Sequence, residues 1–136
     1  MCLKVGDSTS LKRRLTFDII KAYGEISGDM NLLHFSDEYA MTLGFQGCIA
    51  HGLFCLGMVS NLIGNTLPGP GSIFLDEELK YQNPVYIGDE IEAKVSISSI
   101  DEKGIIEVSF VCTNQRGMIV LKGKTKVLNK TRTILL

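Results

Sequence analysis

The pattern of apolar and polar positions divides the chain into a mostly helical first half and a strand-rich second half. Residues 8–15 alternate well enough to predict a first strand. Thr16 or Asp18 then provides an N-cap for a helix that continues to about Ser27. Gly28 can adopt the positive φ that commonly ends a helix, so the chain is expected to turn there.

Two further helices are predicted before the midpoint of the chain. Residues 30–35 form an irregular loop or short turn, after which Ser36 caps a short helix that ends at about Leu43. The run from His51 to Ile63 is apolar on nearly all sides, which is typical of a helix buried on most sides. This stretch is too short and too interrupted by small residues to predict a membrane span.

The second half of the chain shows the two-residue alternation that is typical of β-strands. A loop over residues 64–71 is followed by four strand-like segments separated by turn signals, namely Ser72–Tyr81, Glu90–Ile100, Gly104–Asn114 and Met118–Leu128. Short connections between consecutive strands predict an antiparallel meander. The tail from Asn129 onwards is predicted to be frayed.

These elements together predict an α+β architecture in which a curved antiparallel sheet wraps around a long central helix. One face of the sheet must be covered, and the apolar helix is the only candidate for covering it. The length predicts that residues 1–136 form a single domain with one core. Open sheet edges invite pairing with a second chain, which predicts a homodimer.

Composition narrows the possible partners and location. The chain has 136 residues and a formal net charge of −1, so a nucleic-acid partner is not expected. Its four cysteines form no CxxC pair, which argues against a zinc site or a disulfide framework and predicts reduced thiols. The first residues lack the basic and apolar regions of a signal peptide, so a cytoplasmic location is predicted.

The candidate chemistry centres on Asp29 and His34, which lie five residues apart in the loop after the first helix. A carboxylate and an imidazole held near one water can share its activation, one removing a proton while the other orients or donates. The alternative is structural, because Asp after Gly is common in turns and Asp side chains satisfy backbone donors in loops. Residue spacing leaves both interpretations open.

A second candidate feature is the start of the buried helix. Its first backbone N–H groups lack partners within the helix and carry the positive end of the helix dipole. Gly52 would let a carbonyl oxygen approach these groups, which predicts an oxyanion site without a charged side chain. Alternatively, Gly52 only permits close packing, and the neighbouring His51 only caps the helix or packs against a neighbour.

Three ordered segments of the chain resemble the MaoC-like (R)-specific enoyl-CoA hydratases, also called hydratase 2. The family signature runs Tyr, then Ser-Gly-Asp-x-Asn-Pro-x-His, then Ala, and it is matched here by Tyr23, Ser27, Gly28, Asp29, Asn31, His34 and Ala40. GFQGCIAHGL over residues 44–53 resembles the second block, and residues 69–91 resemble the third. The chain departs from the family at Leu32, where the signature has proline, and at Cys48, where a basic residue is common.

The resemblance implies a hotdog fold and the hydration of a trans-2-enoyl thioester to the (R)-3-hydroxyacyl thioester by syn addition of water, or the reverse dehydration. Asp29 and His34 would be the catalytic pair, and the Gly52 N–H would bind the thioester oxygen. Ser60 would line the site and Asn31 would position groups in it. No cofactor is implied beyond the coenzyme A of the substrate, and an acyl-carrier-protein thioester remains an open alternative to acyl-CoA.

Two other functions remain in competition with hydration. The same fold serves acyl-CoA thioesterases, and a non-catalytic acyl-binding module is also possible. The spacing of Asp29 and His34 favours hydration. With crotonyl-CoA, loss of the enoyl absorbance without free thiol indicates hydration, free thiol indicates hydrolysis, and neither indicates binding only.

Substrate-binding residues are predicted from chemistry and position. An acyl tail needs apolar walls, and the candidates along the buried helix and the following segment are Phe54, Leu56, Leu67, Ile73 and Leu75. His51 is placed with Asn31 and Ser60 among the substrate-binding residues. Lys122, Lys124 and Lys126 alternate on one face of the last strand and are predicted to hold the nucleotide end of coenzyme A; the alternative is that they are solvated surface lysines.

Overall fold

The computed structural model describes residues 2–131, and its elements follow the predicted order. In chain order they are β1 (Ser8–Arg14), α1 (Phe17–Ser27), a 3₁₀ turn (Leu32–His34), α2 (Asp37–Thr42), α3 (Gly52–Asn65), β2 (Ser72–Tyr81), β3 (Glu90–Ile100), β4 (Ile105–Thr113) and β5 (Ile119–Asn129). The predicted helices and strands are confirmed, with boundaries that agree within about two residues. None of the helices described is both long and apolar enough to cross a membrane.

The five strands form one antiparallel sheet in the order β1-β3-β4-β5-β2. The prediction of a four-strand meander is therefore wrong, because only β3, β4 and β5 follow one another in space. β1 occupies the free edge of β3, where the Leu15 N–H donates to the Asp89 carbonyl at 2.8 Å. With that edge filled, β2 pairs with the free edge of β5 instead and becomes an edge strand of the sheet.

The core lies between α3 and the concave face of the sheet, as the apolar pattern of α3 predicted. Along β3 and β4, buried and less buried positions alternate, so one face of each strand points into the core. From α3, the side chains that enter this core are Cys55, Met58, Val59, Leu62 and Ile63. The opposite side of α3 is less covered, and Leu53 is half exposed there.

The loop between α1 and α2 is fixed at several points. Gly28 has φ of +79° and its N–H donates to the Gly24 carbonyl, which ends α1 in the left-handed conformation that glycine readily adopts. Asn31 caps the 3₁₀ turn through a side-chain bond from the Leu33 N–H at 3.0 Å. The Ile49 N–H donates to the Leu33 carbonyl at 3.2 Å, which ties the loop to the segment before α3.

The end of β5 differs from the prediction of a frayed tail that begins at Asn129. Asn129 is buried, and its side-chain amide donates to the Gly69 carbonyl at 3.1 Å and to the Ser72 hydroxyl at 3.0 Å. This side chain therefore ties the end of β5 to the loop that precedes β2. The remainder of the predicted tail, residues 132–136, lies outside the described residues.

Candidate active site

His34 is held in one orientation by a single strong hydrogen bond. Its Nδ1 lies 2.7 Å from the Ile49 carbonyl oxygen. Because a carbonyl can only accept, Nδ1 must carry the proton, and in the neutral imidazole the lone pair is then on Nε2. That Nε2 lies 4.0 Å from Oδ2 of Asp29. The side chain of His34 is buried, whereas that of Asp29 is 46% exposed.

The separation of these two atoms suits a shared water. At 4.0 Å they are too far apart for a direct hydrogen bond. A water about 2.8 Å from each atom can donate one hydrogen to the imidazole and the other to the carboxylate. The pair therefore has the geometry to hold one water by both of its hydrogens and leave its oxygen lone pairs free.

His51 packs directly on His34. The two ring centroids lie 3.8 Å apart with an interplanar angle of 28°, which is a stacked arrangement. The Nε2 of His51 lies 2.9 Å from the backbone carbonyl oxygen of Asp29, so this nitrogen donates and Nδ1 is unprotonated. Nδ1 is buried and has no hydrogen-bond partner in the part of the chain that the structure describes. Tyr23 and Phe35 complete the aromatic surroundings.

The environment of His51 opposes its protonation. Burial lowers the pKa of His51 from its ordinary value of 6.5, and a charge on His34 would lower it further. The backbone carbonyl and the carboxylate of Asp29 act in the opposite direction and only partly compensate. His51 is therefore neutral at pH 7, which permits the close stacking on His34.

Asp29, His34 and His51 are residue types that commonly bind a divalent metal. One ligand atom from each lies within 4.8 Å of the others. Their orientation is poorly suited to chelation. A histidine binds a metal along a lone pair in the plane of its ring, and these two rings lie in nearly parallel planes with centroids 3.8 Å apart, so one ion cannot lie close to both planes. The arrangement therefore fits a stacked imidazole pair better than a metal site.

The start of α3 faces the same space as the two imidazoles. Gly52 is the first residue of α3, so its N–H has no acceptor within the helix. The ring of Tyr81 packs against it so closely that a methyl group at position 52 would lie 2.5 Å from Cε1 of that ring. Glycine is thus required for Tyr81 to keep this position beside the N–H group.

A cavity of about 540 Å³ joins these groups, a size typical of small-molecule sites. The predicted residues that line it are Asp29, His34, His51 and Gly52. The remaining walls are mostly apolar and come from the segment before α3, from α3, and from the end of β2 and its connection to β3; they include Phe45, Ala50, Leu53, Tyr81, Gln82 and Pro84. The structure therefore brings the four chemically important residues together in one cavity.

Three of the other predicted residues lie at a neighbouring cavity of about 520 Å³. Ser60, Leu56 and Leu75 line this second cavity together with Tyr23. Leu53 lines both cavities, so the two spaces adjoin at this residue. Positions 53, 56, 57 and 60 share one side of α3 because they are three or four residues apart. Ser60 lies about two turns along the helix from Leu53, so it lines only the second cavity.

Four predicted substrate-binding residues line neither of these two cavities. Leu67 belongs to the hydrophobic core. The Phe54 ring packs edge-on against Tyr23. Ile73 is exposed on the edge strand β2, and Asn31 caps the 3₁₀ turn. Apolar character alone could not separate core, surface and cavity positions.

The prediction missed the contribution of the segment after β2. Tyr81, Gln82, Asn83 and Pro84 all line the first cavity. These residues stand in the middle of the third family-like block. Asn83-Pro84 breaks the connection between two predicted strands, and that pattern alone does not indicate a cavity wall.

Cys48 lies beside the site but is not activated as a nucleophile. Burial and the hydrogen bond to Asp37 raise the pKa of the Cys48 thiol to about 11. A thiol reacts as its thiolate, so Cys48 is almost entirely unreactive at neutral pH. Its backbone N–H donates to Oδ1 of Asp37 at 2.8 Å, and this bond anchors the segment before α3 to α2.

Comparisons with known proteins agree with this geometry. The sequence matches the family model of the MaoC like domain over residues 6–116. It is 34% identical over 131 residues to the (R)-specific enoyl-CoA hydratase of Rhodospirillum rubrum, covering 96% of this chain and 90% of that protein. It is 35% identical over 130 residues to the mitochondrial 3-hydroxyacyl-[acyl-carrier-protein] dehydratase of Arabidopsis thaliana, covering 93% of this chain and 77% of that protein.

A solved structure gives the same result for the fold. The (R)-hydratase from Aeromonas caviae involved in PHA biosynthesis superposes with a TM-score of 0.89 and 32% sequence identity. The similarity covers 93% of this chain and 97% of that chain. The predicted hotdog architecture is confirmed by this match.

The depressed pKa of His51 can be measured directly, because the chain has only two histidines. In an NMR titration we expect the His51 resonances to titrate at a pH below 6.5, the ordinary pKa of histidine, because burial opposes the charged form.

The same pKa shift affects stability. As the pH falls below 6.5, the unfolded chain binds more protons than the folded one, so His51 destabilises the fold in acid and not above neutrality. The His51→Phe variant assigns the signals and should flatten that part of the stability profile. A His51 midpoint at or above 6.5 would contradict the prediction.

Proposed function

The chain belongs to the MaoC-like family, and from that premise we propose that it is an (R)-specific enoyl-CoA hydratase, which adds water to a trans-2-enoyl-CoA to give the (R)-3-hydroxyacyl-CoA. The observation that carries the proposal is the water-sized gap between Asp29 and His34, beside the N–H group at the start of α3. Relatives named as hydratases match over nearly the whole chain, which supports the same reaction.

The proposed reaction begins with the thioester bound across the first cavity. Water is a weak nucleophile, and the β-carbon of an enoyl thioester is only mildly electrophilic. Asp29 and His34 hold the water by its hydrogens, so that its oxygen attacks the β-carbon while the pair accepts a proton. The Gly52 N–H donates to the thioester oxygen, which stabilises the negative charge that develops there as enolate character forms.

The second half of the reaction returns a proton to the substrate. The proton removed from the water passes from the pair to the α-carbon, and the enolate electrons form the new C–H bond. The elements of one water molecule are thereby added across the double bond, with no net change at Asp29 or His34. Because hydroxyl and proton come from the same side, the addition is syn, as the family resemblance implies.

We assign His51 a positioning role in this mechanism, in place of the predicted contact with substrate. Its Nε2–H···O bond to the Asp29 carbonyl fixes the backbone that carries the carboxylate. Its ring lies against the ring of His34 and limits rotation of that imidazole. A neutral His51 meets both requirements at once, whereas a cation would repel a proton arriving on His34.

The second cavity adjoins the first at Leu53 and offers partly apolar walls for the acyl chain. Leu56, Leu75 and Ser60 line it, and Asp76 and Glu77 lie at its polar side. We propose that an acyl chain longer than the reacting carbons continues past Leu53 into this space. Sequence and structure together leave Leu56, Leu75 and Ser60 as candidates for contact with the chain.

We also propose that two copies of the chain pair through β2. This strand is an edge of the sheet, and most of its residues are exposed. Three consecutive apolar residues, Ile73, Phe74 and Leu75, lie on it at a β-bulge opposite β5. An exposed apolar edge is a template for pairing, and a two-fold axis would satisfy both copies with the same contact.

The catalytic pair is tested by replacing its members. Asp29→Asn keeps the shape and removes the base, so kcat with crotonyl-CoA should fall roughly 10²–10⁴-fold, and His34→Ala should cost a similar factor. The double variant should lose much less than the product of the two effects, since the residues act as a unit. Enoyl absorbance and free thiol are followed together, and product chirality is determined.

Asp18→Asn is the matched control, because this carboxylate is exposed on α1. It should leave kcat unchanged. Near-normal hydration by Asp29→Asn, or an (S) product from the wild type, would refute the mechanism. Release of free thiol without hydration would instead identify an acyl-CoA thioesterase, and binding without either reaction would identify an acyl-binding module.

The positioning role of His51 is tested by two substitutions that separate its contacts. His51→Gln keeps an N–H donor for the Asp29 carbonyl, whereas His51→Phe keeps the ring and removes the donor. We expect His51→Phe to lower kcat roughly 10–100-fold with little change in KM, since small misplacement of a catalytic group is costly. His51→Gln should retain most of the activity.

The free energy of unfolding distinguishes positioning from a purely structural role. His51→Phe removes a buried nitrogen that has no partner, but it also removes the donor to the Asp29 carbonyl. These two effects oppose each other, so the free energy of unfolding should change little. The proposal therefore expects an enzyme that is stable but slow. If His51→Gln were as slow as His51→Phe, or if His51→Phe had normal turnover, the contact with Asp29 would not position the pair.

The dimer is tested by sedimentation at micromolar concentration, where the wild type should have twice the mass of one chain. Leu75→Glu places a charge in the apolar edge and should shift the protein towards monomer. Ile26→Glu is the control, because Ile26 is 90% exposed and belongs to α1, not to the β2 edge. A monomeric wild type, or equal effects of both substitutions, would count against pairing through β2.

A further inference from the structure

Three lysines form one row across the outer face of the sheet. In the strand register, Lys94 of β3 lies opposite Val111 of β4, Val111 opposite Lys122 of β5, and Lys122 opposite Lys80 of β2. All three lysines are exposed, and Ala93 and Val95 beside Lys94, like Leu121 beside Lys122, are buried in the core. The side chains of the row therefore share the convex face, away from α3.

The basic residues around this row are paired with acids, whereas the row itself is not. The ion pairs are Lys12–Glu92, Arg14–Glu90, Lys124–Glu78 and Lys126–Asp76, with separations from 3.8 to 4.0 Å. Within the described residues, no carboxylate forms such a pair with Lys80, Lys94 or Lys122. Of the predicted set of Lys122, Lys124 and Lys126, two members lie beside carboxylates and only Lys122 belongs to the unpaired row.

An unpaired row of like charges has an energetic cost. Lys122 and Lys80 stand directly opposite each other on neighbouring strands, where like charges destabilise a sheet. Lysines on an edge strand are common because they prevent edge-to-edge aggregation, which would account for Lys80. That explanation does not extend to Lys94 and Lys122, since β3 and β5 are interior strands.

The row lies in a groove that shares a lining residue with the first cavity. The groove has a volume of about 850 Å³, and its polar lining consists of the three lysines, Gln82, the hydroxyl groups of Ser96 and Ser109, and the Lys124–Glu78 ion pair. Gln82 lines this groove and also lines the first cavity that holds the imidazole pair. An extended ligand that passes the end of β2 at Gln82 would contact both regions.

We propose that Lys80, Lys94 and Lys122 bind the phosphate groups at the nucleotide end of coenzyme A when the acyl thioester occupies the first cavity. The inference rests on the proposed function and defines its substrate class. Coenzyme A carries a diphosphate and a ribose phosphate, a set of charges that matches several ammonium groups in a row. A carrier-protein substrate has only the phosphodiester of its prosthetic arm, so it leaves most of this charge unmatched.

The test compares two triple variants of equal net charge on two substrates. One carries Lys80→Gln, Lys94→Gln and Lys122→Gln. The control carries Lys12→Gln, Lys103→Gln and Lys126→Gln, which lie outside the groove. The substrates are crotonyl-CoA and the crotonyl thioester of N-acetylcysteamine, which has the same reacting group and no phosphate.

At low salt we expect the row variant to raise KM for crotonyl-CoA at least about tenfold, with kcat little changed, because charge-assisted bonds to phosphate are lost. Its kinetics with the phosphate-free thioester should equal those of the wild type, and the control variant should match the wild type on both substrates. Added salt should raise KM for crotonyl-CoA in the wild type more than in the row variant.

Adenosine 3′,5′-bisphosphate provides a readout that does not depend on catalysis. It should bind the wild type and the control in calorimetry and lose affinity at least about tenfold in the row variant. Equal binding by all three proteins, or an unchanged KM for crotonyl-CoA, would overturn the proposal. So would a row variant that is impaired only with a carrier-protein thioester, because the row would then dock an acidic protein. If the wild type turned over neither thioester, the hydratase assignment would fail, and the bisphosphate titration would still decide the role of the row.

Discussion

The hydrogen bond from Nδ1 of His34 to the Ile49 carbonyl is the contact on which the site depends. It determines which nitrogen carries the proton, and so it points the lone pair of Nε2 towards the Asp29 carboxylate. It also ties the loop after α1 to the residues that lead into α3. The acid–base pair and the helix start are thus placed relative to each other by one bond between two segments, supported by the backbone bond between Ile49 and Leu33.

The sheet topology explains why this meeting point is accessible from the surface. Since β1 fills the edge of β3, β2 has to pair on the other side of β5, and the chain then returns through residues 82–89 to begin β3. That return brings Tyr81 and Gln82 beside the start of α3. A meander would have used a tight turn at this point, and the segment that forms one wall of the cavity would have been absent.

Much of the fold and the chemical centre could be predicted from the sequence, because both are encoded locally. Helix caps such as Ser36 and strand alternation set the elements, and the spacing of Asp29 and His34 within one loop made them a pair. Strand order could not be read in this way, since β2 and β5 are far apart in sequence. The stacking of His51 on His34 joins two distant segments, and the separation of cavity residues from core residues such as Leu67 depends on helix rotation and burial.

Three features of the structure cost stability, and all three lie along the proposed path of the substrate. His51 buries a nitrogen without a partner, Gly52 leaves an N–H at a helix start facing a cavity, and Lys122 faces Lys80 across two paired strands. A chain selected for stability alone would tend to remove each of these features, because each costs free energy. Proteins keep such local conflicts mainly at functional sites. His51 and Gly52 lie beside the proposed reaction centre. Gln82 lines both that cavity and the groove that contains Lys122 and Lys80. These three features therefore lie along the path that we propose for one extended substrate, from its reacting carbons to its phosphate groups.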